Sequence, residues 1–392
     1  MRMMNLDHIS ANPLLPEVQE AMIKAIREPQ GNPSSQHAMG ERAAEALETA
    51  RESVARLINA SASREVVFTS CGTESVNQAV KGLALANADR KGRHVVTSNI
   101  EHKSVIRSLR RLKAMGFQVT SVPVDAQGRV DPAEVARALR EDTVLVTVMH
   151  SNNEIGTIQP VKEIGRIARE KGVLFHVDAV DSVGVVPMDA QALGVDAMSF
   201  ASNPFYGPTG VGGLFVRKGI NILPLLDGGV QENNKRAGTE NLIGIIGMGV
   251  AADLARRDMD DRLSRLSGLR EKLLQDLPAH IDDYLINGHP DSCLPNLVSV
   301  SLKYIEGESV MLMLDEEGIA VSTRSACASG SLRASHVLLS TGMEFADAQG
   351  TLVITFGVDN TEEDVSRFLA ALKRTVKTLR DLSPLYKKTA GA

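Results

Sequence analysis

The sequence predicts an α/β protein: a mostly parallel sheet covered by helices on both faces, with a smaller α+β unit after it. Two observations carry this. Short apolar runs at 66–69, 94–97, 118–123, 144–150, 174–178, 197–201 and 213–216 alternate with helical segments at 103–115, 132–139, 161–171 and 190–193. Strands spaced this way are joined by crossover helices and lie parallel, so both sheet faces are buried. From residue 244 a helix-rich stretch runs to 277, followed by strand 297–302, helix 307–317, strand 351–356 and helix 361–379. The boundary falls near 255–265. Residues 15–260 then form a large domain, and residues 1–14 with 261–392 a small one.

The elements follow in order. Residues 1–15 read as extended, and Pro16–Arg27 carries Val18, Met22, Ile23 and Ile26 at helical spacing. Residues 31–35 (GNPSS) are a loop with capping residues. Residues 38–58 make a long amphipathic helix with Ala43, Leu47, Ala50, Val54 and Leu57 on one face. Val66–Thr69 is a buried strand, and Ser70, Cys71, Gly72 and Thr73 turn it into a helix starting near Glu74. Strand, tight glycine turn and helix N-terminus make an anion site, because free N–H groups converge there. The tail 387–392 reads as frayed.

Composition excludes several classes. With 43 Lys and Arg against 48 Asp and Glu, scattered along the chain, nothing marks a nucleic-acid partner. No apolar stretch approaches the ~20 residues of a membrane span, and the start MRMMNLDHIS has no secretory apolar core. Three cysteines in 392 residues point to a reducing compartment, hence a cytoplasmic protein.

The candidate chemistry sits where α/β sheets bind ligands, beyond the carboxyl ends of strands. Gly72, Thr73 and Glu74 offer N–H groups and a hydroxyl. His102 follows the strand at 94–97, and Asn153 lies in the turn His150–Glu154. Asp178 ends an apolar strand and could hold a positively charged ring nitrogen. Cys327 lies in the small, polar loop SACASGS (325–331), suited to a reachable thiol. Cys71 sits inside the anion turn, whereas Cys293 has no neighbours that give it a role.

Together these motifs resemble the cysteine desulfurases, pyridoxal-phosphate (PLP) enzymes of fold type I in the class V aminotransferase superfamily. The resemblance runs from about residue 5 to residue 386. It is carried by GNPSSQHAMG (31–40), FTSCGTES (68–75), EHKSV (101–105), SNNEIGTIQP (151–160), HVDAV (176–180), YGPTGVG (206–212), RAGTEN (236–241), YIEGES (304–309), SACASGSL (325–332) and SHVLL (335–339). It implies a lysine-bound PLP, with Thr73 on the phosphate, His102 stacked on the ring, Asn153 at the ring oxygen and Asp178 at the ring nitrogen. Cys327 would carry the persulfide. The ending LRDLSPLY resembles the housekeeping iron–sulfur-assembly type, which implies a homodimer docking a scaffold protein.

The same frame departs at the reactive positions. The family motif Ser-(Gly/Ala)-His-Lys-x-x-Gly-Pro-Lys-Gly reads here Ala201-Ser202-Asn203-Pro204-Phe205-Tyr206-Gly207-Pro208-Thr209-Gly210. The Schiff-base lysine is Pro204, the phosphate-binding serine and histidine are Ala201 and Asn203, and the second lysine is Thr209. The family glutamine is Asp181, and the two arginines are Val353 and Val358. Proline has no amine, and valine cannot bind a carboxylate. The expectation is a member without ordinary PLP desulfurase activity, in which Cys327 acts as sulfur carrier or, with Cys71, as iron or cluster ligand. The alternatives are non-covalent PLP or recruitment of Lys103 or Lys235, and a structural subunit beside an active paralogue.

Overall fold

A computed structural model describes residues 3–28, 31–323 and 334–386. Among the described residues twelve strands form three sheets. The first strand, β1 (Met4–Asn5), lies outside the large sheet. That sheet contains β2 (Val66–Thr69), β3 (His94–Ser98), β4 (Gln118–Val122), β5 (Thr143–Met149), β6 (Leu174–Asp178), β7 (Ala197–Ala201) and β8 (Gly212–Val216), in spatial order β2-β8-β7-β6-β5-β3-β4. Only β8 runs antiparallel to its neighbours β2 and β7; the other pairs are parallel. The seven expected strands are all present. Every residue of β5 is buried, as an apolar run with helices on both sides should be.

The helices α1 (Pro16–Arg27), α2 (Ala38–Leu57), α3 (Gly72–Lys91) and α4 (Lys103–Ala114) begin the two covering layers. One apolar core packs α2 and the helix Leu242–Arg257 beneath the sheet, and another packs α3 and α4 on the opposite face. Ala50 of α2 lies so close to Gly249 that a Cβ there would come within 2.8 Å of the alanine methyl. This close approach explains why a helical interior tolerates glycine at that position.

Three differences from the sequence reading have physical causes. The helix-rich stretch 244–277 is two helices, Leu242–Arg257 and Met259–Asp276, which meet at Asp258 as cap of both. The last helix, Glu362–Leu382, runs further than expected; its start carries a capping box between Thr361 and Asp364. Strand β9 (Tyr284–Asn287) was missed because its residues are only partly buried and its alternation is weak. It pairs antiparallel with β10 (Leu297–Leu302), which also pairs with β12 (Thr351–Thr355). Strand β1 joins β11 (Ile319–Ala320) in parallel. A separate core gathers Met4 and Leu6 with residues of β10, β12 and the last helix.

Candidate functional site

At the carboxyl end of the parallel strands, α3 closes against the two neighbouring turns. A Cβ on Gly72 would lie 2.7 Å from Val180 and 3.5 Å from Ala201, and one on Gly212 would lie 2.5 Å from the Cys71 carbonyl carbon. These glycines let three segments converge: residues 71–73, the turn after Asp178, and the loop between β7 and β8. Cys71 is the N-cap residue of α3 and offers no side-chain cap, so the first-turn N–H groups keep their donors. Thr73 is exposed beside them.

His102 is the N-cap residue of α4. Its Nδ1 accepts from the Ser104 N–H at 3.2 Å, and its ring is exposed. Asn153 is half-buried in a turn braced by Asn152, whose Oδ1 accepts from the Glu154 and Ile155 N–H groups. Asp178 is buried at the end of β6 and accepts from the Val180 N–H at 3.2 Å. Burial, with the Asp181 carboxylate added, pushes its carboxyl up to about 7. Glu101, a residue that sequence reasoning passed over, is fully buried between β3 and β5. It accepts from Ser98 Oγ at 2.6 Å and the Met149 N–H at 3.0 Å, while its Oε2 has no hydrogen-bond partner among the described residues. Burial pushes it up to about 8. The only local signal was its place beside His102.

The loop that departs from the family motif is well built. Asn203–Phe205 form a short 3-10 turn, and Tyr206 takes a left-handed conformation with φ of 68°. The Asn12 amide donates to the Asn203 carbonyl at 2.9 Å and the Pro204 carbonyl at 3.3 Å. Ala201 ends β7 and is buried; Asn203 and Pro204 are half-buried; Thr209 is exposed. Val353 is buried in β12, paired with Ser299.

The segment 231–238 reaches the same region. Glu232, at φ of 48°, sends its buried carboxylate to both Arg51 guanidinium nitrogens at 2.6 and 2.9 Å and accepts from the Phe68 N–H. Arg236 then pairs with Glu74 in the first turn of α3 at 3.0 Å. The Lys235 carbonyl accepts from Gln78 at 2.6 Å, so this residue runs alongside α3, while Lys103 is exposed at the start of α4.

Among the described residues no group of three or more His, Cys, Asp or Glu side chains is placed to hold a metal ion, so Cys71 has no such company there. Cys327 lies outside the described residues. Among those described, no helix is long and apolar enough to cross a membrane.

This sheet order and these converging turns define the PLP-enzyme fold type I. The aminotransferase class-V family model matches residues 4–368, and the chain belongs to that family. Within it, the chain resembles cysteine desulfurases. It is 47% identical over 383 residues to "Cysteine desulfurase IscS" of Dictyoglomus turgidum, covering 98% of this chain and 96% of the relative. It is 45% identical to the protein of the same name from Methanosarcina thermophila, covering 98% and 94%. A solved "NifS-like protein" superposes with a TM-score of 0.90 at 38% identity, over 96% of this chain and all of that one.

The cofactor this fold implies fits the residues only in part. Asp178 is a buried carboxylate suited to a ring N–H cation. Beside it, Pro204 carries no amine, Asn203 no imidazole and Val353 no guanidinium.

Proposed function

We propose that this chain is a sulfur-transfer protein of iron–sulfur cluster assembly that does not itself carry out ordinary PLP-dependent desulfuration of free cysteine. It docks a scaffold protein as a cytoplasmic homodimer and offers Cys327 as sulfur carrier or cluster ligand. The observation that carries this reading is Pro204 at the family's Schiff-base position. As carrier, the Cys327 thiolate attacks the outer sulfur of a donor persulfide. One S–S bond forms, one breaks, and the donor leaves as thiolate, so no outside oxidant or reductant is needed.

The resemblance to cysteine desulfurases supports the sulfur chemistry, and the chain's own residues support the loss of covalent cofactor chemistry. The test incubates purified protein with PLP and cysteine. The expected result is no borohydride-trapped PLP adduct and no sulfide release, while persulfide from a donor desulfurase labels Cys327 and not the Cys327→Ala variant. A trapped adduct on any lysine of the native chain, with sulfide release, sinks the proposal.

A second reading, PLP held without a covalent bond, is favoured by Asp178. Its buried carboxylate has no cationic partner among the contacts described, and a ring cation would supply one. Equilibrium dialysis with PLP separates the two readings.

A further inference from the structure

The loop carrying Pro204 meets the far end of the chain through Asn12 and His8, whose donor and acceptor roles follow from one another. The Asn12 amide faces two carbonyl oxygens, those of Asn203 and Pro204. Carbonyls only accept, so the NH₂ group of Asn12 must point to the loop and its Oδ1 must point away. That Oδ1 lies 2.7 Å from His8 Nδ1. The carbonyl oxygen of an amide also only accepts, so His8 Nδ1 must carry a proton. The other ring nitrogen, Nε2, lies 3.3 Å from Asp359 Oδ1. The two atoms approach without a hydrogen bond between them.

The ring is enclosed. It is 2% exposed, and a Cβ on Gly357 would fall 2.2 to 2.5 Å from its atoms. The turn beneath it is itself fixed. The Gly357 N–H donates to Asn360 Oδ1 at 2.8 Å, Asn360 donates to the Asn5 carbonyl at 3.1 Å, and Arg265 donates to the Asn360 carbonyl at 2.7 Å. A second path joins the same two segments, because the Val358 N–H donates to the Tyr206 hydroxyl at 2.9 Å.

We propose that His8 and Asn12 are positioning residues. They form a directed relay, His8 to Asn12 to the Pro204 carbonyl, that holds the loop after β7 beside the turn after β12, on which the His8 ring packs, and fixes the His8 tautomer with its proton on Nδ1. The relay stands whether or not the protein transfers sulfur.

The test uses the whole protein labelled with ¹⁵N-histidine, with His8 assigned by a His8→Asn variant. The expected spectrum shows a protonated Nδ1 at every pH at which the protein stays folded, because both the neutral Nδ1–H form and the cation carry that proton. A His8 whose Nδ1 reads as bare while Nε2 is protonated overturns the proposal, and that measurement needs no destabilising variant. In parallel, Asn12→Ala is expected to speed amide exchange at Tyr206 and Gly207 by about tenfold, the worth of one net hydrogen bond, and to leave β5 unchanged. Equal exchange in variant and parent overturns the pinning.

Discussion

Replacing Asp178 by Asn tests what sits opposite its carboxylate. The group is buried, and its folded value of about 7 lies far above the ordinary 3.8, because burial and then Asp181 disfavour its charge. Below the ordinary value both folded and unfolded chains hold the proton, and the group is neutral to stability. Between the two values the folded chain holds more protons, so stability falls as pH rises and levels off above about 7. At about 1.4 kcal/mol for each tenfold, the full loss is roughly 4 kcal/mol. Asn keeps the acceptor for the Val180 N–H and removes the charge. In urea unfolding, Asp178→Asn is therefore expected to match the parent near pH 4 and to exceed it by about 2–4 kcal/mol near pH 8. The parent's remaining decline up to about 8 belongs to Glu101, which shifts in the same direction. A variant no more stable than the parent at the alkaline end refutes the reasoning, for it would mean that a cation already compensates the carboxylate.

Further outcomes follow from other contacts. Pro204→Lys restores an amine and is expected to give a borohydride-trapped adduct with PLP. Sulfide release is expected to stay at least about a hundredfold below that of a desulfurase with its full set of acid–base and carboxylate-binding groups, since Asn203 and Val353 remain. Glu232→Gln leaves the buried Arg51 charge with only the half-exposed Glu48 carboxylate as partner and is expected to cost about 2–3 kcal/mol in urea unfolding, below the ~3–5 kcal/mol of a buried charge left wholly unpaired. Gly357→Ala drives a methyl into the His8 ring and is expected to cost about 1–3 kcal/mol, read by thermal unfolding.

Much of the large sheet was legible because a strand buried on both faces is a continuous apolar run, as at Val144–Met149, bounded by turn residues. Asp178 was legible as a candidate for the same reason: a carboxylate that ends such a run has no core role. The edge strand Tyr284–Asn287 was not legible, because a half-buried edge carries little pattern. Nor was the pairing of His8 with Asp359, since nothing local at either end of the chain records that the two meet. Glu101 hid behind its neighbour His102: sequence order shows that the two are adjacent, but only the fold shows that one side chain turns inward while the other faces out.

The pairing of β1 with β11 also has a consequence for how the chain comes to be. Met4 sits opposite Ile319, and Asn5 opposite Ala320. Residues 4 and 5 therefore wait for a partner that is synthesised much later, at 319 and 320. At roughly 5–20 residues per second that interval is on the order of 15–60 s. During it, the large sheet, whose strands all lie between Val66 and Val216, has every pairing partner it needs. Met4 is thus sealed into its core only after every strand of the large sheet has been made, and that core closes when β12 and the last helix follow.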